Sequence, residues 1–122
     1  MVYKHIVMWK FKEQHNGKSA LENARWMKEQ LEALVGVVPE LLSAEVGISP
    51  ALEQAAAAAE PSNAAAVPAQ AASGEYDACL VSTFASPEAL AAYKVHPKHK
   101  AISAYCKEAR LKRLAFDWWS EE

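Results

Sequence analysis

A phenol and two imidazoles lie within seven residues of one another, in the run Tyr93-Lys94-Val95-His96-Pro97-Lys98-His99. Imidazole has a reference pKa close to physiological pH, so histidine is suited to general acid–base catalysis. A third imidazole, His5, lies in the first strand-like run of the chain. If the fold brings His5 to this run, the chain holds a small acid–base site. If it does not, the sequence indicates little beyond a compact α+β domain.

The catalytic hypothesis gives each group a role. His99 removes an acidic proton, Tyr93 orients His99 or donates to a developing enolate oxygen, and His5 stabilises the other end of the substrate. Structural alternatives stay open: His5 bonds His99 or a backbone carbonyl, Tyr93 is a core aromatic, and His96 is a helix N-cap. A metal site of His5, His96 and His99 is a further alternative, although no carboxylate or cysteine at suitable spacing supports it. No metal site is therefore predicted.

The elements that position these groups follow from periodicity. Residues 2–12 alternate between two faces, which predicts a strand with His5, Val7 and Trp9 on one side. Ser19 with Glu22 resembles a capping box and begins a predicted helix over 19–35, after a polar turn at 14–18. Further strands are predicted at 41–48, 76–84 and 111–119. Two helical pieces begin at 86 and 97, the second running to about 109.

The Ala-rich segment at about 50–74 has low complexity. Alanine favours helix, but the segment offers almost no large apolar face. The favoured interpretation is a mobile insertion between two strands. The alternatives are a docked helix or a segment that recruits a protein partner.

The order β-α-β-β-α-β predicts a ferredoxin-like α+β protomer, with a four-stranded antiparallel sheet and both helices on one face. The other face carries Ile6 and Met8. An exposed apolar sheet face needs a partner to cover it, which favours a homodimer packed sheet to sheet.

Bulk properties narrow the function classes. The 122 residues suit a single domain, and the net charge of −2 favours neither nucleic acid nor a membrane surface as partner. The apolar runs are short and nothing resembles a signal peptide, so we expect a cytoplasmic protein.

Cys79 and Cys106 are predicted to be reduced structural thiols. No phosphate loop, nucleophile elbow or cofactor-attachment motif is present, so no cofactor is predicted.

Four runs of the sequence resemble the stress-responsive dimeric α/β-barrel (Dabb) family. They are Lys4-His5-Ile6-Val7-Met8-Trp9-Lys10-Phe11, Gly36-Val37-Val38-Pro39, Tyr76-Asp77, and the stretch from Phe84-Ala85-Ser86-Pro87-Glu88-Ala89-Leu90 into Tyr93–His99. The resemblance spans the chain except roughly 50–74. It implies a ferredoxin-like protomer and a dimer whose two sheets form a barrel.

The resemblance also bears on activity. The family includes proteins described only by stress induction, and a plant polyketide cyclase that closes a ring by an aldol-type reaction. The catalytic histidines and tyrosine of that cyclase match His5, Tyr93 and His99, whereas a further pocket tyrosine on the first helix falls at Leu31 here. We expect a ligand pocket for a small apolar or polyketide-like molecule, with the following ligand-binding residues: Val7, Trp9, Leu31 and His96.

Two classes of function remain open. The first is a small-molecule enzyme, with proton-transfer or cyclase chemistry or the cofactor-free oxygenation of other dimeric α/β barrels. The second is a non-catalytic stress-related or ligand-binding homodimer. A pocket of roughly 300 Å³ or more lined by His5, Tyr93 and His99 favours the first. A filled core, with these side chains bonded only to each other, favours the second.

Overall fold

The structure, a computed structural model, describes residues 1–58 and 75–121. Its elements in chain order are β1 (Val2–Phe11), β2 (Gln14–His15), β3 (Lys18–Ser19), α1 (Ala20–Glu32), β4 (Ser43–Ile48), α2 (Pro50–Ala58), β5 (Ala78–Phe84), α3 (Pro87–Val95), α4 (Pro97–Ala109) and β6 (Arg110–Ser120). The four long strands form one antiparallel sheet in the order β4-β5-β1-β6. This confirms the predicted ferredoxin-like α+β architecture.

The predicted strands are present, with ends that differ by one or two residues. The segments 2–12, 41–48, 76–84 and 111–119 become the ranges given above for β1, β4, β5 and β6. Strand β5 begins two residues later than predicted, because Asp77 bonds to β1 through both its side chain and its backbone. Its carboxylate accepts hydrogen bonds from the Phe11 N–H (2.9 Å) and from Lys10 Nζ (3.1 Å), and its own N–H donates to the Trp9 carbonyl (2.7 Å).

The first helix begins as predicted and ends early. Ser19 Oγ accepts from the Glu22 N–H, and the Glu22 carboxylate accepts from the Ser19 N–H, both at 3.1 Å. The helix ends at Glu32 rather than at 35. From Leu34 onward most N–H groups bond three residues back, and that of Val38 bonds four back, so the chain tightens into turns. Leu34 and Val38 are buried and continue the helical spacing of apolar residues, but neither lies in a helix.

A short hairpin replaces the predicted polar turn. Strands β2 and β3 pair across Asn16 and Gly17, both with positive φ (56° and 74°), the backbone of a type I′ turn. The buried Asn23 holds the hairpin, because its Nδ2 donates to the His15 carbonyl (3.3 Å) and its Oδ1 accepts from the Tyr105 hydroxyl (2.5 Å). Helices α1 and α4 are joined by the same contact.

The start of the Ala-rich segment is helical. Pro50–Ala58 form α2, and Leu52 packs against the core cluster. For this part the structure shows a docked helix, one of the alternatives that the sequence left open. The helix forms because the Ser49 hydroxyl accepts from the Ala51 N–H (3.2 Å) and because alanine has the highest helix propensity. The rest of the segment, 59–74, lies outside the described residues.

The two faces of the sheet differ in cover. The helices bury one face, on which His5, Val7 and Trp9 lie as predicted. The opposite face is left without cover by the described chain. It carries apolar side chains in neighbouring register positions, and we call these the outer apolar face: Ile6, Met8, Val81, Leu114, Phe116 and Trp118. No helix in the described part of the chain is long and apolar enough to cross a membrane.

Candidate functional site

The register of the sheet determines the surroundings of His5. Strand β1 places it opposite Asp117 on β6 and opposite Ser82 on β5. Directly opposed residues share a face, so their side chains meet. His5 Nδ1 lies 2.5 Å from Asp117 Oδ1, and the Ser82 hydroxyl donates to the His5 carbonyl (3.1 Å). A carboxylate only accepts hydrogen bonds, so Nδ1 carries the hydrogen, and in the neutral ring Nε2 then has the lone pair.

The break between α3 and α4 positions His99. The His96 side chain caps α4, because its Nδ1 accepts from the Lys98 N–H (3.1 Å). A continuous helix would use that N–H to satisfy the Lys94 carbonyl. Here the Lys94 carbonyl pairs with His99 Nδ1 instead (3.2 Å). A carbonyl also only accepts, so His99 likewise carries a hydrogen on Nδ1, and in the neutral ring Nε2 then has the lone pair.

The Tyr93 ring packs against the His99 ring. The two ring centroids lie 4.4 Å apart, and Tyr93 also packs on Phe84 at 5.1 Å. The side chain is only 1% exposed, and its hydroxyl has no hydrogen-bond partner among the described residues. Burial raises the pKa of Tyr93 above its usual value. The position suits orienting His99, but Tyr93 does not line the cavity described next.

A cavity of about 260 Å³ lies between the inner face of the sheet and α4. Both His5 and His99 line it, together with three of the predicted ligand-binding residues, Val7, Trp9 and Leu31. The structure thus brings together five of the seven predicted site residues. His96, the N-cap of α4, and Tyr93, in the core, are not part of its lining. The remaining lining residues are Leu80, Lys94, Ile102, Ser103, Cys106, Lys107, Arg110 and Arg113.

Both histidines are neutral at neutral pH. Burial lowers the pKa of His5, the hydrogen bond and charge of Asp117 raise it in part, and Lys94 and Arg113 lower it further. Burial also lowers the pKa of His99, against the opposing effect of its bond to the Lys94 carbonyl. Both pKa values lie below the ordinary 6.5. The arrangement therefore presents two bases to one cavity.

Other chemistry at the cavity is limited. Burial raises the pKa of the Cys106 thiol to about 12, so the thiol is protonated and is a poor nucleophile. Cys79 is also a free thiol, on the opposite face of the sheet. In the ranges 1–58 and 75–121 no three metal-ligating side chains come together as a metal site.

Two features of the site escaped sequence analysis. Asp117 is the one acidic residue in the apolar run 114–119, which was a usable signal, but its pairing with His5 depends on a register that sequence does not reveal. The four cations of the lining, Lys94, Lys107, Arg110 and Arg113, looked like ordinary surface residues.

Known proteins share this fold. The family model described as the stress responsive A/B barrel domain matches residues 3–60 and 63–120. A dimeric ferredoxin-like protein of unknown function from Bacteroides fragilis is similar, with 22% identity, a TM-score of 0.71 and 98% of this chain and 96% of that chain covered. No curated protein matches the sequence.

Two similar structures carry names of enzymes. A hydroxynitrile lyase from Passiflora edulis aligns at 16% identity and a TM-score of 0.66, covering 99% of this chain and 95% of that one. A cofactor-independent oxygenase from Streptomyces nogalater aligns at 4% identity and a TM-score of 0.62, covering 99% and 94%. At these identities the likeness concerns the fold.

A histidine titration by proton NMR tests the site electrostatics. Both His5 and His99 should titrate below 6.5, because burial disfavours their charged forms. Asp117→Asn should lower the His5 midpoint further, since Asp117 raises it in the wild type, and should move His99 less. A His5 midpoint above 6.5, or one that rises in Asp117→Asn, would contradict this account.

Proposed function

This chain belongs to the stress-responsive α/β-barrel (Dabb) family, and we propose that it is an enzyme that moves protons on a small molecule. One observation carries the proposal: His5 and His99 line the same cavity, and each has Nδ1 bonded to an acceptor. Neither Nε2 has a hydrogen bond within the described residues. A neutral imidazole in this state accepts a proton at Nε2. The family's fold hosts several functions, so the proposal depends on the site itself.

We assign proton abstraction to His5, whereas the sequence suggested His99. The two rings differ in what stabilises their protonated form. Asp117 contacts His5 with a negative charge, while His99 contacts a neutral carbonyl. A carboxylate on Nδ1 holds the ring orientation and stabilises the imidazolium that forms when Nε2 takes a proton. His5 then returns the proton to another atom of the substrate or to water.

His99 supplies a second acceptor on the same cavity. Its ring is held from one side by Tyr93 and at Nδ1 by the Lys94 carbonyl, so its orientation is determined before a ligand binds. Such preorganisation suits a hydrogen bond from a substrate hydroxyl. Positive charge from Lys94, which lines the same cavity, stabilises an enolate oxygen that develops as the proton leaves. Proton removal beside a carbonyl is therefore the reaction class that we propose.

Polyketide cyclisation is the less supported version of this chemistry. Leu31 occupies the place at which the first helix of the cyclase carries a tyrosine, and it lines the cavity as an apolar wall. The cavity of about 260 Å³ is also small, below the range of roughly 300–1,000 Å³ typical of drug-sized ligands. A substrate smaller than a polyketide fits these observations better.

Deuterium exchange tests the chemistry. With phenylacetone in D2O, wild-type protein should accelerate exchange of the protons beside the carbonyl, and His5→Gln should lose about 10²-fold or more, the usual range for a general base. Asp117→Asn should lose part of the rate. The wild-type rate should fall as the pH drops through the His5 pKa, below 6.5, because only the neutral ring accepts a proton.

His15→Gln is the matched control, since His15 lies in the β2–β3 hairpin and does not line the cavity. It should keep the wild-type rate. If wild-type protein does not exceed the buffer rate, the acid–base proposal fails and the non-catalytic ligand-binding dimer is the better account.

We also propose that the protein is a homodimer that packs through the outer apolar face. Phe116 is 65% exposed there, next to Ile6 and Leu114 in register. An apolar patch of this kind is characteristic of an interface. The similar Bacteroides fragilis protein is described as dimeric. The cavity lies on the opposite, helix-covered side, so each protomer keeps its own site.

Sedimentation and light scattering test the dimer. Phe116→Glu should shift the protein toward monomer, because it places a charge in the middle of the proposed interface. Val95→Glu is the matched control, since Val95 is equally exposed (63%) but lies at the end of α3, away from the sheet. A wild-type monomer at micromolar concentration, or equal effects of the two variants, would contradict the proposal.

A further inference from the structure

Positive charge is concentrated at the cavity. Four of the chain's 13 lysines and arginines line it, whereas none of its 15 acidic residues does so within the described part. We call Lys94, Lys107, Arg110 and Arg113 the cationic rim. The chain as a whole has a net charge of −2, so composition does not explain the cluster.

No rim residue forms a salt bridge with another described residue. Residues 1–58 and 75–121 contain four salt bridges involving Lys10, Lys28, Lys112 and His5, and none of them includes a rim residue. Burial and the charge of neighbouring Arg110 lower the pKa of Arg113, and the charge of Asp117 offsets this lowering only in part. Lys94 and Arg113 also disfavour protonation of both histidines. Gathering these charges costs stability, and a bound anion would offset that cost.

The sheet register places Arg110 and Arg113 away from the pair formed by His5 and Asp117. Asp117 pairs with His5, and Arg113 pairs with Trp9, four residues further along both strands. At roughly 3.3 Å per residue, the backbone positions are about 13 Å apart. Arg110 pairs with Phe11 beyond them. The strand positions of the arginines thus lie toward one end of the cavity and that of His5 toward the other, while the Arg113 side chain still acts on both histidines through its charge.

Apolar side chains occupy the space between these ends. Val7 and Trp9 lie on β1 between the positions of His5 and Phe11, and Leu80 and Ile102 complete the wall. A guanidinium binds a carboxylate with two parallel hydrogen bonds, and does so most strongly in a partly desolvated place. The site therefore matches a molecule with one acidic end and an apolar body.

We propose that the cavity takes a small organic acid, with its carboxylate bound by Arg110 and Arg113 and its apolar body against Val7 and Trp9. This names the substrate class of the proposed acid–base enzyme and rests on that function for the fate of the bound acid. It differs from the small apolar or polyketide-like ligand expected from sequence. The size of the cavity limits the body to about one ring.

Matched probes test the charge requirement. Phenylacetate and phenylacetamide have nearly the same shape and differ in charge. Phenylacetate should bind wild-type protein at least about tenfold more tightly by NMR titration, since its bonds to arginine are charge-assisted. The preference should shrink when the salt concentration is raised, because the rim is mostly exposed. Arg113→Gln should remove most of the preference and leave phenylacetamide binding unchanged.

Arg25→Gln is the control for loss of one positive charge. Arg25 is exposed on α1 and is not part of the lining, so both probes should bind this variant as they bind wild type. Circular dichroism checks that each variant is folded. The proposal is overturned by equal affinity for the two probes, by equal losses in Arg25→Gln and Arg113→Gln, or by no phenylacetate binding at millimolar concentration. Inorganic phosphate binding as tightly as phenylacetate would also overturn it, because the apolar wall would then contribute nothing.

The two proposals fail separately. If phenylacetate binding depends on arginine but phenylacetone shows no deuterium exchange, the enzyme proposal is wrong and the acid-binding site is retained. If exchange depends on His5 but the protein has no preference for phenylacetate, the enzyme proposal is retained and the organic-acid proposal is wrong.

Discussion

The contact between His5 and Asp117 connects the fold to the site. It spans the central strand β1 and the edge strand β6, and it exists only because those strands pair in one register. A slip of one residue would turn Asp117 to the outer face and leave a 3%-exposed imidazole without its carboxylate. The same register brings Arg113 beside Trp9 and so determines where the cavity carries its charge. Both ends of the candidate site therefore depend on how β6 pairs.

The second half of the site comes from an interrupted helix. Pro97 cannot donate a backbone hydrogen bond, so the chain begins a new helix at that point, with His96 as its cap. The interruption frees the Lys94 carbonyl, which then holds His99. One local event thus assigns three residues of the Tyr93–His99 run to different tasks. Tyr93 packs, His96 caps and His99 faces the cavity.

Sequence patterns predicted the architecture because each element carries its own signal. The alternation in β1 and the capping box at Ser19 are local, and both are present in the structure. The failures have physical causes too. The apolar residues after Glu32 kept a helical spacing while the backbone turned, and α2 gained packing through Leu52 that its composition did not suggest. The partners of His5 and the cationic rim depend on contacts between distant strands, which no local pattern encodes.

His5 and His99 are both neutral with the hydrogen on Nδ1, which leaves two basic Nε2 atoms at one cavity. Long-range proton–nitrogen correlation spectra of the 15N-labelled imidazoles at pH 7.5 test this arrangement, because the two neutral tautomers and the imidazolium give different nitrogen shifts. We expect the Nδ1–H tautomer for both rings. An Nε2–H tautomer or an imidazolium at either residue would contradict it, because that ring would then have no free lone pair on Nε2.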